Sequence, residues 1–432
     1  MKELLELALK SAEQVEVYHA AVEETSVGFE SNRLKNLNSR QGTAIALRLI
    51  KNGRIGFAIS NRADNSEELV NMAVEVSEFG ATAAFDLPGP ATYLEIPVLD
   101  KAVGKVPLQQ MVGIGEDIIA KVVANTPGLI VEGRVGRSVS TVTLTNSRGG
   151  HATCTKSVMS AMMEGTLLNG TDMLFVGEDD VSCHPLVDGN AIAAMMIEQL
   201  ENSRQTGSVR SGSYPVIFTP TAVAGGLLGA LAQAFNGRTV LQGASPIGHK
   251  MGQQVFDKRF NLWDDGTIPF RPASRAFDDE GVPCQKTSLV EEGVVSHFLY
   301  DLQTAGLAGA RSTGNGSRAG GLPAPAMNAI VIGEGSISYG DLVRDIKEGL
   351  VVEMLMGAGQ GNTLGGDFSG NVLLGYKVKD GKLAGRVKDT MVSGNIYEAL
   401  KDVVLGKDAR WVGGMLRTPS ILFPHLAVSS NK

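Results

Sequence analysis

FDDEGVP (Phe277–Pro283), STGNGSR (Ser312–Arg318) and GGDFSG (Gly365–Gly370) punctuate the last third of the chain. Each combines carboxylate, amide or hydroxyl groups with glycines that let the backbone turn sharply. They read as loops, and around them lie short apolar runs at Val216–Phe218, Ala329–Ile332 and Val372–Val378. Strand after strand with few helical stretches predicts a barrel or a strongly curved sheet from about residue 213 to 432.

Working outward, the first half has a different texture. A helix at the start precedes strand-like runs at Val15–Val22, Ser26–Glu30, Gly42–Lys51 and Arg54–Ser60. Asn52-Gly53 between the last two predicts a two-residue hairpin, because both positions tolerate positive φ. Asn65 and Glu68 predict a capping box for a helix whose inner face is Leu69, Met72, Ala73 and Val76. Pro88, Pro90, Pro97 and Pro107 mark a linker-like stretch, and a helix follows at Leu108–Ala124. Further β runs at Leu129–Thr145, His151–Leu168 and Met173–Cys183 lead to a helix at Ala191–Asn202. The expected class is α+β: an α/β domain over 1–105, a second over 106–212, both with antiparallel sheets, and a β-rich, barrel-like domain over 213–432.

The chain has 432 residues, 43% of them hydrophobic, enough for several buried cores. With 39 basic and 46 acidic residues the net charge is -7. No Lys/Arg stripe tracks a phosphate backbone, so direct nucleic-acid binding is not expected. Three widely spaced cysteines, Cys154, Cys183 and Cys284, make neither a disulfide framework nor a CxxC pair. The opening MKELLELALKSAEQ lacks a basic end followed by an apolar core, and Ala222–Ala232 is too short to cross a bilayer. A cytoplasmic protein without membrane contact is expected.

Thr219-Pro220 opens TAVAGGLLGALAQAF, Thr221–Phe235, which predicts one regular helix with Thr as cap and Pro at the first position. After its first turn Gln233 is the only polar side chain, so nothing on it can bind a metal. The six histidines never fall at helical ligand spacing, and His249 and His297 near Cys284 leave open a spatial site. No Gly-x-Ser-x-Gly elbow or P-loop is present.

The ordered strings and this helix resemble the TldD/PmbA family, in particular its PmbA (TldE) branch, over the whole chain. TldD-like members carry a His-Glu-x-x-x-His zinc motif on the helix that here reads Gly229-Ala230-Leu231-Ala232-Gln233-Ala234. The resemblance also implies a cysteine ligand near the carboxy terminus, yet Arg410–Pro419 has none. A hydrolytic zinc site needs about three protein ligands, an open position and a base. Glycine and alanine supply none, so no metal and no cofactor are expected in this chain, with zinc confined to a TldD-like partner. The family's description as a modulator of DNA gyrase then implies a protein-level effect.

Asp278, Asp279 and Glu280 form either a tight acidic turn before Gly281 and Pro283 or a polar contact surface. Gly314 and Asn315 can present backbone N–H groups to an anion, as glycine-rich nests do. Arg318 can pair with a carboxylate, and Asn328 can cap a turn or bond a peptide backbone. The resemblance implies a groove for peptide or partner at Asp279, Glu280, Gly281, Gly314, Asn315, Arg318, Asn328 and Asp367. It further implies a dimer, with a TldD-like subunit or with itself, enclosing a chamber for extended peptide. No catalytic residue is assigned. Two other functions stay open: a stand-alone peptidase with another metal site, and a peptide-binding regulator without proteolysis.

Overall fold

The computed structural model describes residues 1–62, 65–186 and 188–430. Six long strands form the amino-terminal sheet: β1 (Gln14–Glu30), β2 (Arg33–Lys51), β3 (Arg54–Ser60), β4 (Ile130–Asn146), β5 (His151–Asn169) and β6 (Asp172–Ser182). Their order is β3-β2-β1-β4-β5-β6, antiparallel throughout. Asn52 and Gly53, at φ 51° and 70°, make the expected hairpin turn.

Two short runs expected in β1 are one strand of 17 residues. The polar stretch Glu23-Glu24-Thr25 resembles a break, but it lies on β1 where cross-strand pairing satisfies its charge. Glu24 meets Arg40 of β2 and Arg134 of β4, each at 2.6 Å. Likewise β4 pairs with β1 from Glu16 to Phe29, so one sheet spans the boundary expected at residue 105. The proline-rich stretch before that boundary is packed: Leu87, Val98 and Val103 are buried, and Ser157 N–H donates to the Val98 carbonyl.

Strand periodicity of two gives this sheet unlike faces. Val15, Val17 and Val27 of β1, with Leu47 and Leu49 of β2, face an apolar layer. Helices α1 (Lys2–Ala8), α2 (Ser66–Phe79), α3 (Leu108–Asn125) and α4 (Asn190–Asn202) cover it. On α2 the buried face is Leu69, Val70, Ala73 and Ser77, while Met72 and Val76 are exposed. The inward stripe is rotated from expectation because Gly56 lets β3 approach that side of the helix: a Cβ there would lie 2.0 Å from the Ala73 carbonyl oxygen. Asn65 bonds the Glu68 side chain directly and makes no cap bond to the backbone.

The opposite face of β1 and β2 carries Glu16, Tyr18 and Arg48. It meets the carboxy-terminal region, which begins with β7 (Gly212–Phe218). There β7 and the strands Glu348–Met356, Asp367–Lys379, Thr390–Asn395 and Ile421–Ser430 close into a five-stranded barrel. A second sheet contains Leu262–Asp265, Lys286–Glu291, Ile330–Ile332 and Leu416–Thr418. Phe218, Phe235, Phe260, Phe298 and Phe423 fill the core between them. The Phe218 and Phe423 rings meet edge to face at 5.2 Å, worth about 0.5–1.5 kcal/mol beyond burial.

The helix expected over Thr221–Phe235 is divided at Leu227 into α5 (Pro220–Gly226) and α6 (Leu228–Ala234). Leu227 sits at φ -114°, after Gly225 and Gly226, two residues of low helix propensity. Among the described residues no helix is long and apolar enough to cross a membrane.

Two glycines should respond oppositely to an added methyl group. Gly56→Ala, which pushes a Cβ into the α2 backbone, is expected to cost about 1–3 kcal/mol in chemical denaturation. Gly225→Ala, on an exposed helical position with open space around it, is expected to stabilise by about 0.5–1 kcal/mol.

Candidate functional site

Seven of the eight residues expected at a groove converge. Phe277 and Pro283 bridge at the base of the first string, and Gly281 turns the chain at φ 77°. Asp278 fastens that turn: its Oδ1 accepts from Glu280 N–H and Val282 N–H, both at 2.9 Å, and its Oδ2 accepts from Gly316 N–H at 2.8 Å. The second string is thereby tied to the first. Gly314, at φ 73°, lies so close to Pro283 that a Cβ would sit 2.5 Å from its carbonyl oxygen. At Gly316 a Cβ would sit 2.6 Å from Glu280 Oε2, so only glycine leaves room for that carboxylate.

Asp264 anchors the other side. Alternation along Leu262–Asp265 buries Asp264, whose carboxylate accepts from Asn315 Nδ2 at 2.8 Å, Asn328 N–H at 2.5 Å and Asn328 Nδ2 at 3.0 Å. Arg275 bridges outward, donating to Asn328 Oδ1, Asp279 Oδ1 and the Gly316 carbonyl. Asp279 also accepts from Arg318 N–H at 2.7 Å and from the Tyr18 hydroxyl at 3.3 Å. Tyr93 donates to the Gly281 carbonyl at 2.9 Å.

The cluster ends on the amino-terminal sheet. Glu16 and Arg48 face each other across β1 and β2 and are both buried. Arg48 donates to Glu280 Oε1 at 2.5 Å and to Glu16 Oε2 at 3.0 Å, while Arg318 pairs with Glu16 Oε1. Glu280 Oε2 accepts from Leu302 N–H at 2.7 Å. This is a charged clamp between the two halves of the chain. In the single chain, burial takes Glu280, Asn315 and Asn328 out of reach of a peptide, and their bonds serve the clamp. Asp367 is elsewhere: it is exposed, begins a barrel strand and accepts from Asn395 Nδ2 at 2.8 Å.

Glu16, Tyr18, Arg48, Asp264, Arg275 and Asp301 join the cluster without having been selected from sequence. One signal was available. Glu16 between Val15 and Val17, and Arg48 between Leu47 and Leu49, are opposite charges on the alternate face of apolar strands.

Carboxylates outnumber guanidiniums here. Burial raises the Asp264 carboxyl to about 6, against the opposing pull of its amide donors. Burial also raises Asp278, and raises Glu280 further, where Asp278 and Asp301 add like charge. Burial lowers the Lys156 ammonium, with Arg275 adding like charge, and its Nζ donates to the Pro272 carbonyl at 2.5 Å; the three cysteines, distant in sequence, lie in the same neighbourhood. All three are free, and burial pushes Cys183 up to about 11 and Cys284 up to about 12. Protonated thiols of that kind are poor nucleophiles.

The α5–α6 segment offers no zinc ligands. Gly229 is exposed, Ala230 and Ala234 are buried in the apolar core, and none has a side-chain donor atom. Arg410, near the expected cysteine position, is held bidentately by Glu178 at 3.1 and 3.0 Å. Among the described residues no three His, Cys, Asp or Glu side chains are arranged to hold a metal ion. The family's zinc therefore does not fit the residues at these motif positions. His297 Nδ1 lies 3.0 Å from the Ser288 carbonyl oxygen.

A continuous β-barrel docked on a six-stranded sheet, with a divided helix in its core, defines an architecture shared with known proteins. The family model of the PmbA/TldA metallopeptidase C-terminal domain matches residues 211–430, and that of metallopeptidase domain 1 matches residues 15–77. The chain belongs to the PmbA/TldD family. It is 27% identical to an uncharacterised protein of Methanocaldococcus jannaschii, covering 98% of both chains. It is 26% identical to a protein of Methanothermobacter thermautotrophicus named a metalloprotease, covering 89% of this chain and 86% of that one. The crystal structure of TldE from Thermococcus kodakarensis has the same fold, with a TM-score of 0.91 at 23% identity over 100% of both chains.

Removing the clamp's central cation leaves two buried carboxylates without it. Arg48→Met is expected to destabilise the protein by about 3–5 kcal/mol in denaturant titrations, whereas Asp367→Asn should stay within about 0.5 kcal/mol.

The clamp should also loosen with alkali. A carboxyl raised on folding stabilises the fold while protonated, fully so below the unfolded range near about pH 4. That contribution is lost as pH rises through about 6 at Asp264, and at higher pH at Glu280. The thermal midpoint is expected to fall from about pH 5 toward pH 9, and less steeply in Glu280→Gln.

Proposed function

We propose that this chain is the PmbA/TldE-like, non-metal subunit of a peptide-processing assembly, holding extended peptide or completing a chamber for a zinc-bearing TldD-like partner. The observation that carries this reading is a helix in a metallopeptidase family whose ligand positions are Gly229, Ala230 and Ala234, with two of the three buried in the core. Water activation then falls to the partner, because hydrogen and methyl groups neither bind a metal nor take a proton.

Peptide holding finds support at the sheet margin. β3 pairs with β2 only from Ile45 to Lys51, leaving the outer backbone edge of Arg33–Ala44 without a neighbouring strand among the described residues. An extended peptide added there would gain main-chain hydrogen bonds with little sequence preference. Unfolded or partly folded polypeptides are the substrate class this suits. The working compartment is the cytoplasm, where three free thiols stay reduced.

The test is to purify the chain alone and together with a zinc-bearing TldD-like protein from the same source, then measure bound zinc and cleavage of unstructured peptides. Cleavage by the mixture with no zinc on this chain is the expected result. Chelator-sensitive cleavage by this chain alone, with stoichiometric zinc, would overturn it, and peptide capture with no cleavage in the mixture would leave a regulator.

A further inference from the structure

Helix α2 has more apolar residues than its contact with the sheet covers. Leu69, Val70, Ala73 and Ser77 face inward, yet Met72, Val76 and Phe79 stand outside at 38%, 48% and 90% exposure. Phe79 is the most exposed large hydrophobic side chain among the described residues. At positions i, i+4 and i+7 the three form one row, about 10 Å long, down the flank of the helix. Single exposed apolar residues are ordinary, whereas a continuous row rimmed by charge marks a contact surface.

The row has the spacing of a coiled-coil seam. Leu69 and Val76 fall at a, Met72 and Phe79 at d, and Glu68 and Glu75 at the flanking g positions. Leu69 closes the inner margin against the sheet, so the open part of the seam is Met72, Val76 and Phe79. Such a seam takes the side chains of one further helix laid alongside it.

Charge decides which helix fits. α2 carries Glu67, Glu68, Glu75 and Glu78 and no Lys or Arg. Asn65 bonds Glu68, and none of the four glutamates is in an ion pair among the described residues. Arg54, at the carboxy-terminal end of the helix, donates to the Gly80 carbonyl. A second copy docked by the same face would set glutamate against glutamate, in a chain whose net charge is already -7. Helices that lie on a bilayer carry Lys and Arg on their polar face, so anionic lipid is not the occupant either.

We propose that the Met72–Val76–Phe79 face of α2 docks an amphipathic helix of another polypeptide, apolar along its seam and carrying Lys or Arg opposite Glu68 and Glu75. This goes beyond peptide holding and does not depend on it: a held peptide is extended and pairs with the β2 backbone edge, whereas this partner is helical and meets side chains. About three turns of seam fall short of a standard interface, so the contact is transient and of micromolar strength.

The test uses the full chain and a fluorescein-labelled peptide of about three heptads, with Leu at a and d and Lys at e and g, read by anisotropy. Lysine on both flanks serves a parallel or an antiparallel pairing. Saturable binding is expected, weakened about tenfold in Phe79→Ser and in Val76→Ser. Glu68→Gln/Glu75→Gln should weaken it several-fold and remove part of its salt dependence. These side chains are exposed, so the variants keep the fold, which circular dichroism checks. A scrambled peptide of identical composition, and one with Glu in place of Lys, should not saturate. Failure of the Lys/Leu helix to saturate, equal binding of the scrambled peptide, or unchanged affinity in Val76→Ser/Phe79→Ser would overturn the proposal. So would a concentration-dependent dimer in sedimentation that Phe79→Ser abolishes, because a second copy would then be the occupant.

Discussion

The molecule turns on one buried guanidinium. Arg48, on a strand of the amino-terminal sheet, joins Glu16 across that sheet to Glu280 of the carboxy-terminal region. Removing these charges from water is costly, and their mutual attraction offsets the cost only with close geometry and further hydrogen bonds. The glycine-punctuated strings prepare that geometry, Asp278 securing the turn behind Glu280 and Gly316 leaving its carboxylate room, while Leu302 N–H, from the helix beyond, meets its second oxygen. The loops that looked most like an open groove are, in the single chain, the joint between its two halves.

That joint changes the meaning of polarity in this sequence. Carboxylates, amides and glycines are the vocabulary of a binding surface and equally of a buried network, because both need directional bonds and close backbone approach. Exposure separates the two. Asp367 keeps its carboxylate toward solvent on the barrel, while Glu280, Asn315 and Asn328 are enclosed. The divided α5–α6 helix gives the reverse lesson: Leu227, after the Gly225-Gly226 pair, interrupts a segment whose composition suggests regularity. The interruption supplies no donor atoms, so the chemistry inferred from its side chains is unaffected.

Much of the architecture was legible. Period-two runs located β3 to β6, Asn52-Gly53 gave its hairpin, and the strand-rich, glycine-punctuated last half announced the barrel. What escaped was continuity. Glu23-Glu24-Thr25 looked like a gap because its polar side chains are compensated by Arg40 and Arg134, residues of other strands. The inner face of α2 was displaced for a similar reason, since the glycine that admits the neighbouring strand lies outside the helix.

The residues alone determined that the α5–α6 segment cannot hold zinc, because the presence of a donor atom is a property of side-chain type and no fold can add one. They determined equally the alternation that gives β1 an apolar face and a charged one. Tertiary structure decided what the charges meet: Glu16 and Glu280 lie 264 positions apart, and whether such a carboxylate is solvated, paired or protonated depends on distances and burial created only when the two halves dock.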